Sequence, residues 1–467
     1  MKNTTLLYSF LVALLLGVSA CGNDYLDINE NPNTATRPPL DGLLASSSYG
    51  TAINQFSVST QFTSYYVQYL ASPNVSGASD TYEPANYSSW NSVYGTMADL
   101  YDLIQFGTED AAEAHVGIAR VLMAMNLGLI VDNWGAAPYS DAFTGETLRP
   151  TYDTAEELYQ TMFDLLAQAE RDFDNDDETP ALDVDSDFIH GGDLDAWRLT
   201  ISALRARYLN HFSQLDRYDP SAVLAAIDAS YTGTDDNASI MTFQVRNPWA
   251  QVARNNDGLS LDGWLSEQFV DALNGMTFGT ADPRLPLLTA PDTNGVFVGT
   301  VNGAGRAGGD GTIALQSYLE QDGAKSSADS PLDIITFTEL KFIEAEAALA
   351  DGNTDRARTA FEAGITADML RIGVAQDEID DYIEAEYGDD EVSRDDIFRE
   401  KYAALFLHPE TYVDARRYDF AYQDFMLAVN ATLNSFPLRV PYPNTELDRN
   451  AVNVPNTSQT DPIFWDR

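Results

Sequence analysis

Thr336–Arg371 reads TFTELKFIEAEAALADGNTDRARTAFEAGITADMLR. One Ala-rich run ends at Ala350, and a second opens with Thr354-Asp355-Arg356-Ala357. Between them Asp351-Gly352-Asn353 is a glycine-centred turn, too short for anything but a tight reversal. Two helices that close together lie antiparallel, each covering a face that the other cannot expose.

The same helical spacing extends in both directions. It predicts helices over Leu40–Leu70, around Trp90, Tyr94, Met97, Leu100 and Ile104, and over Ala111–Val131. Further helices are expected at Ala155–Phe173, with Asp153 or Thr154 as N-cap, and at Leu194–Leu215, Gln376–Tyr387 and Ser393–Leu407. The fold class is therefore all-α, a scaffold of tetratricopeptide-like hairpins. The repeat consensus does not recur at its usual period of about 34 residues, so the array is degenerate. Helical blocks at 41–231 and 333–433 flank 232–332, where Gly295, Gly299, Gly303, Gly305, Gly308, Gly309, Gly311 and Gly323 cluster among Asn, Asp and Pro. That stretch reads as a loop-rich insertion bearing ligand surface. Residues 434–467 read as an extended closing segment on the body.

The chain has 467 residues, 26 Lys+Arg against 72 Asp+Glu, and a net charge of −46. With 44% hydrophobic and 11% aromatic residues it can bury a core despite that charge. So negative a surface excludes a nucleic-acid interface and electrostatic docking on anionic lipid. The few lysines and scattered acids read as adaptation to a salty, halophilic environment; the alternative is a functional acidic face.

Residues 1–20 carry a signal peptide: Lys2, the apolar run Leu6–Leu16, then Gly17, Ser19 and Ala20. Val18-Ser19-Ala20 leads directly into Cys21, the only cysteine, in the manner of a bacterial lipobox. Cys21 would become the first mature residue with lipid on its sulfur, and 21–40 its Asn- and Pro-rich tether. With one cysteine there is no disulfide and no thiolate metal site.

No motif for nucleophilic, phosphate or dinucleotide chemistry is present, and His115, His190, His211 and His408 form no metal-ligand pattern, so no metal or cofactor beyond the lipid is expected. Asp183, Asp185 and Asp187 have the spacing of a calcium loop, but Phe188 and Leu194 stand where an EF-hand needs Gly and Glu. A structural calcium is the weaker reading, a solvated acidic loop the stronger. Acids are so abundant that no pair singles itself out for glycoside hydrolysis. Aromatics say more. Tyr65, Tyr66, Tyr69, Tyr82, Tyr87 and Trp90 crowd one segment, and Trp249, Trp264 and Tyr318 sit in or beside the insertion. Such rings either stack on sugar faces or pack between helices.

Several stretches, in order, resemble the SusD/RagB family of outer-membrane nutrient-binding lipoproteins. They include Cys21 followed by Asn31-Pro32-Asn33, Trp90-Asn91-Ser92-Val93-Tyr94, and Asp132-Asn133-Trp134-Gly135-Ala136-Ala137-Pro138-Tyr139. Gly191-Gly192-Asp193-Leu194-Asp195-Ala196-Trp197, Asp282-Pro283-Arg284-Leu285, Phe342-Ile343-Glu344-Ala345-Glu346-Ala347-Ala348, Glu400-Lys401-Tyr402-Ala403-Ala404-Leu405-Phe406, Asp414-Ala415-Arg416-Arg417 and Pro437-Leu438-Arg439-Val440-Pro441 also fit, as does Phe464-Trp465-Asp466. The resemblance implies a non-catalytic protein on the outer face of the outer membrane, tethered through Cys21. It would capture an oligosaccharide and pass it to a SusC-like TonB-dependent transporter. It also implies a pocket near the early aromatics and the insertion, with Tyr87, Trp90, Asn91, Trp249 and Trp264 as candidate ligand contacts. The alternatives are a RagB-like peptide-binding lipoprotein, a surface glycoside hydrolase, and a structural surface protein without a pocket.

Overall fold

The computed structural model describes residues 37–83, 87–257, 263–292, 294–306, 315–388 and 390–466. The signal segment, Cys21 and the tether as far as residue 36 lie outside them. The chain divides into Met1–Pro39 and Leu40–Arg467, and every element below belongs to the second unit.

The helices are α1 (Leu40–Val58), α2 (Ser89–Glu109), α3 (Glu113–Trp134), α4 (Ala155–Asn175), α5 (Leu194–Asn210), α6 (Pro220–Asp228), α7 (Pro248–Asp257), α8 (Glu267–Leu273), α9 (Leu285–Leu288), α10 (Phe337–Ala350), α11 (Thr354–Ile372), α12 (Gln376–Glu386), α13 (Arg394–Ala404), α14 (Glu410–Arg417) and α15 (Asn444–Arg449). Among the described residues four short strands pair antiparallel in twos: β1 (Leu70–Ala71) with β3 (Trp264–Leu265), and β2 (Ala238–Ile240) with β4 (Leu332–Ile335). The all-α expectation holds.

Local chemistry explains the boundaries. Thr154 caps α4 in a capping box with Glu157, while Asp153 instead accepts from the Tyr139 and Ser140 amides. Thr336 and Asn353 cap α10 and α11, and Gly373 ends α11 in the left-handed conformation. The Leu40–Leu70 run is not one helix. It passes through a π turn at Ser59–Thr63, and Gln68 at φ 56° turns it into β1. Ala111 at φ 53° sets α3 off from α2, and α5 gives way to a 3-10 turn at His211–Gln214.

Within the scaffold α1 packs on α2, α2 on α3, α3 on α4 and α10 on α11. Helix α3 is apolar and long enough to cross a membrane, yet its apolar window is almost wholly buried in the protein, as a core helix should be. At Gly117 a Cβ would come within 2.4 Å of the Phe173 ring, so only glycine lets α3 and α4 approach this closely. Buried ion pairs tie the layers together. Arg207 grips Glu339 at 2.6 and 2.5 Å, and Arg417 grips Glu346 at 2.7 and 2.8 Å. Arg416 behaves differently from its neighbour: its guanidinium binds the carbonyls of Tyr412, Leu438 and Asp132 and lies over the Trp465 ring.

These pairs consume only a fraction of the acids, and the surplus repels itself across the surface. Screening shortens the Debye length from about 30 Å at 0.01 M salt to about 3 Å at 1 M. The unfolding temperature is therefore expected to climb with added NaCl over that range in a thermal scan. A flat or falling profile would count against the salt-adapted reading.

Candidate functional site

Five of the aromatic rings build a wall at one end of the scaffold. Trp134, fully buried at the end of α3, has ring centroids of Phe62 at 5.4 Å, Trp90 at 5.2 Å and Tyr87 at 6.1 Å. Trp90 in turn stacks at a tilt on Tyr94, 4.8 Å away. After Trp134 the chain must reverse, and Gly135 does this at φ 87°. The positive φ favours glycine here, and a Cβ would stand a tight 3.1 Å from the Arg439 guanidinium.

The reversal receives the closing segment. The Val440 amide donates to the Asn133 carbonyl, the Trp134 indole to Pro441 at 3.1 Å, and Tyr442 to Ala136 at 2.7 Å. The Tyr87 hydroxyl donates to that same Pro441 carbonyl. Arg439 fastens the last residues by donating to the Asp461 and Pro462 carbonyls. Trp465 is fully buried and donates to Asp132.

Against this wall lies a groove of about 830 Å³, bordered by the approach to α2, the 432–433 loop, Pro441–Leu447 and Gln459. Half-buried Tyr87 offers a ring face, and Leu433, Pro441 and Pro443 supply apolar floor. Asn91, Asn444 and Thr432 present exposed amides and a hydroxyl, and the buried Thr445 hydroxyl has no hydrogen-bond partner among the described residues. Burial pushes the Tyr87 hydroxyl well above its usual range, so it stays a neutral donor. Among the described lining residues Glu83 is the single carboxylate. Two carboxylates flanking one bond, the requirement for glycoside hydrolysis, are not assembled there.

The five candidate contacts are thus not brought together. Tyr87 and Asn91 line the groove. Trp90 is 2% exposed and forms its back wall rather than a platform. Trp249 is 4% exposed and meets Phe56 edge-on at 4.8 Å, beside a cavity of about 40 Å³ that is too small for a sugar ring. Trp264 is fully buried in β3 with the Arg306 guanidinium 5.6 Å over its ring. No described residue of 232–332 lines the groove; its second side is the closing segment, whose Asn444, Gln459 and Tyr442 sequence reasoning missed. The signal was there in Pro441 and Pro443, which hold that backbone extended and its side chains apart.

The acidic loop also has a local role. The buried Asp187 carboxylate accepts from the Ile189, His190 and Gly192 amides and from the Trp197 indole at 2.7 Å, while Asp183 caps a 3-10 turn. Elsewhere Asp132, His211 and Glu410 place ligand-type atoms within 4.8 Å of one another. Their bonds are already taken: His211 contacts Glu410 at 2.6 Å and the Tyr159 hydroxyl at 2.7 Å, and Asp132 accepts from Tyr159 and Trp465. With Tyr159 the trio forms a buried hydrogen-bonded link between α3, α4, the 3-10 turn and α14.

Residues 32–443 match the SusD-like family described as starch-binding and associating with the outer membrane, and the chain belongs to that family. Solved structures share the fold. A SusD/RagB family protein from Bacteroides thetaiotaomicron is 22% identical, with a TM-score of 0.74 over 92% of this chain and 99% of its own. A chitin-binding SusD homolog from Flavobacterium johnsoniae is 17% identical, with a TM-score of 0.77 over 92% of this chain and 98% of its own. A SusD homolog from Parabacteroides distasonis is 22% identical, with a TM-score of 0.75 over 92% and 98%. No curated protein matches the chain.

Proposed function

We propose that the chain is a surface lipoprotein, anchored through Cys21, that captures an oligosaccharide in the Tyr87–Asn91 groove and delivers it to a SusC-like TonB-dependent transporter without cleaving it. The observation that carries this reading is the make-up of the groove. It is large enough for several sugar rings, has a tyrosine face and apolar floor, is edged with amides and hydroxyls, and holds one carboxylate. Stacking and hydrogen bonding would supply the affinity, which stays modest so that cargo can leave.

Family membership and the chitin-binding relative choose the probes: malto- and chito-oligosaccharides, titrated into the full chain by calorimetry at high salt. Replacing Asn91 and Asn444 together by Ala removes two exposed amides that no core residue needs. Affinity for the bound glycan is expected to fall at least tenfold, about 1.4 kcal/mol, while the unfolding temperature stays put. Unchanged binding would move the site elsewhere. Shortened glycan in the incubation would make the protein a hydrolase, and binding of peptides in place of glycans would make it RagB-like in cargo.

A further inference from the structure

A second cavity, of about 260 Å³, lies between α8, the Phe278–Arg284 turn, α12, α13 and the turn after α14, and shares no lining residue with the groove. Its walls are aromatic: Phe278, Tyr382, Tyr402, Tyr418 and Tyr422. Its surroundings are acidic. In the floor Asp282 and Glu400 hold the guanidinium of Arg284 at 2.5 Å each, and Asp368, behind the floor, shares it at 3.2 Å. At the rim Asp395 accepts from the Tyr418 hydroxyl, and Asp396 from the amide and hydroxyl of Ser393, all neutral donors.

The nearby cations are partly spoken for. Arg399 pairs with Glu386 and lies 3.6 Å over the Phe278 ring, and Arg394 lies 5.5 Å over Tyr418. The protein thus already places cations on two of these rings. Among the described residues no guanidinium covers Tyr382 or Tyr422, while Tyr402 is taken up between the Tyr69 and Tyr422 rings, 4.7 and 4.8 Å away. The Tyr422 hydroxyl is buried and makes no hydrogen bond.

We propose that this cavity binds a small hydroxylated organic cation of the ammonium class. A diffuse positive charge suits ring faces backed by carboxylates. A hard metal cation does not, since it needs six or more converging oxygens and these carboxylates are spread and already bonded. The Tyr422 oxygen is covered in this structure, and a small turn of its ring would bring it to a hydroxyl beside the charge. The proposal stands apart from the glycan reading, because it concerns a different cavity.

Choline is the probe and its neutral tert-butyl analogue the control, each titrated into the full chain by calorimetry at low and high salt. Saturable choline binding is expected, weakened by salt, with the neutral analogue at least about tenfold weaker. Asp395→Asn keeps an acceptor for Tyr418 and removes the charge; it should weaken choline about fivefold with the unfolding temperature unchanged. Tyr422→Phe should weaken choline but not tetramethylammonium, which lacks the hydroxyl. The Asn91→Ala, Asn444→Ala variant should bind choline normally, separating this site from the groove. No saturable choline binding, equal binding of the neutral analogue, or an Asp395→Asn affinity equal to that of the parent chain would overturn the proposal.

Discussion

Arg284→Met is expected to cost about 3–5 kcal/mol or to prevent folding, as breaking a buried ion cluster does. The guanidinium is 1% exposed and is held by carboxylates from three parts of the chain: Asp282 before α9, Asp368 on α11 and Glu400 on α13. Methionine fills much of the volume but leaves the three acids facing each other without the guanidinium they share, with Arg399 and Lys325 acting on Glu400 and Asp368 only as neighbouring charges. The Tyr382 and Tyr387 hydroxyls, each 2.6 Å from Glu400, ease only one of them. Urea unfolding checks the expectation. Adding Asp368→Asn to the variant should restore part of the loss, since it removes one of the stranded charges; parent-like stability of the single variant would show that the cluster is not needed.

Other acids make the pH profile two-sided. Burial works to raise Glu346 and Asp333, but the Arg417 and Arg371 guanidiniums outweigh it and hold each near about 2. A carboxyl depressed in the fold contributes stability above its unfolded range of about 4, and that contribution is lost as pH falls toward 2. Asp80 does the opposite. It is fully buried, and burial pushes it up to about 6 against the amides of Gly303 and Ser72 and the side chain of Asn302. Ionised Asp80 burdens the fold, so its contribution favours the folded state at lower pH and fades as pH rises from about 4 through 6. Asp80 by itself makes stability rise on acidification from pH 7 to about 5. Burial holds His190 and His408 below their usual range, so they oppose that rise in the same window, and stability should collapse below about 4. Thermal scans of the parent chain and of Asp80→Asn across that range test it: the variant should lose the Asp80 contribution, and profiles of identical shape would contradict the Asp80 assignment.

The helices were legible because their evidence is local. Leu158, Met162, Leu165, Leu166 and Ala169 on α4 repeat at helical spacing behind a Thr154 cap, and the α10–α11 turn announces itself in Asp351-Gly352-Asn353. The groove was only half legible. Tyr87 and Asn91 sit where the early aromatics pointed, but a sequence does not say which ring keeps a free face. Trp249 and Trp264 occur in weakly periodic sequence and are nonetheless buried. The reason is partners far along the chain: Phe56 for the first, and strand pairing with Leu70–Ala71 for the second. The groove's other side, Pro441–Leu447, has no periodicity to read at all. It is placed by donors at Trp134 and Tyr87 and by the Asn133 carbonyl, which accepts from Val440, all more than three hundred residues away in chain order.

That dependence makes Trp134→Ala the variant that should damage fold and groove together. Removing a fully buried indole costs about 3–5 kcal/mol. The cavity would open beneath Tyr87 and Trp90, which lean on the indole from two sides. The Pro441 carbonyl would keep the Tyr87 hydroxyl but lose the indole donor, just as Tyr87 loses its support. Glycan affinity should therefore fall even at temperatures where the variant is still folded. Trp264→Ala supplies the contrast. It should lower stability by a comparable amount, because that ring is equally buried, but it touches no groove residue and should leave the affinity of the surviving folded protein unchanged. Measuring unfolding and glycan binding on both variants separates the two effects. If Trp134→Ala binds normally, the wall does not position the groove. If Trp264→Ala also loses binding, the ligand surface extends into the central segment after all.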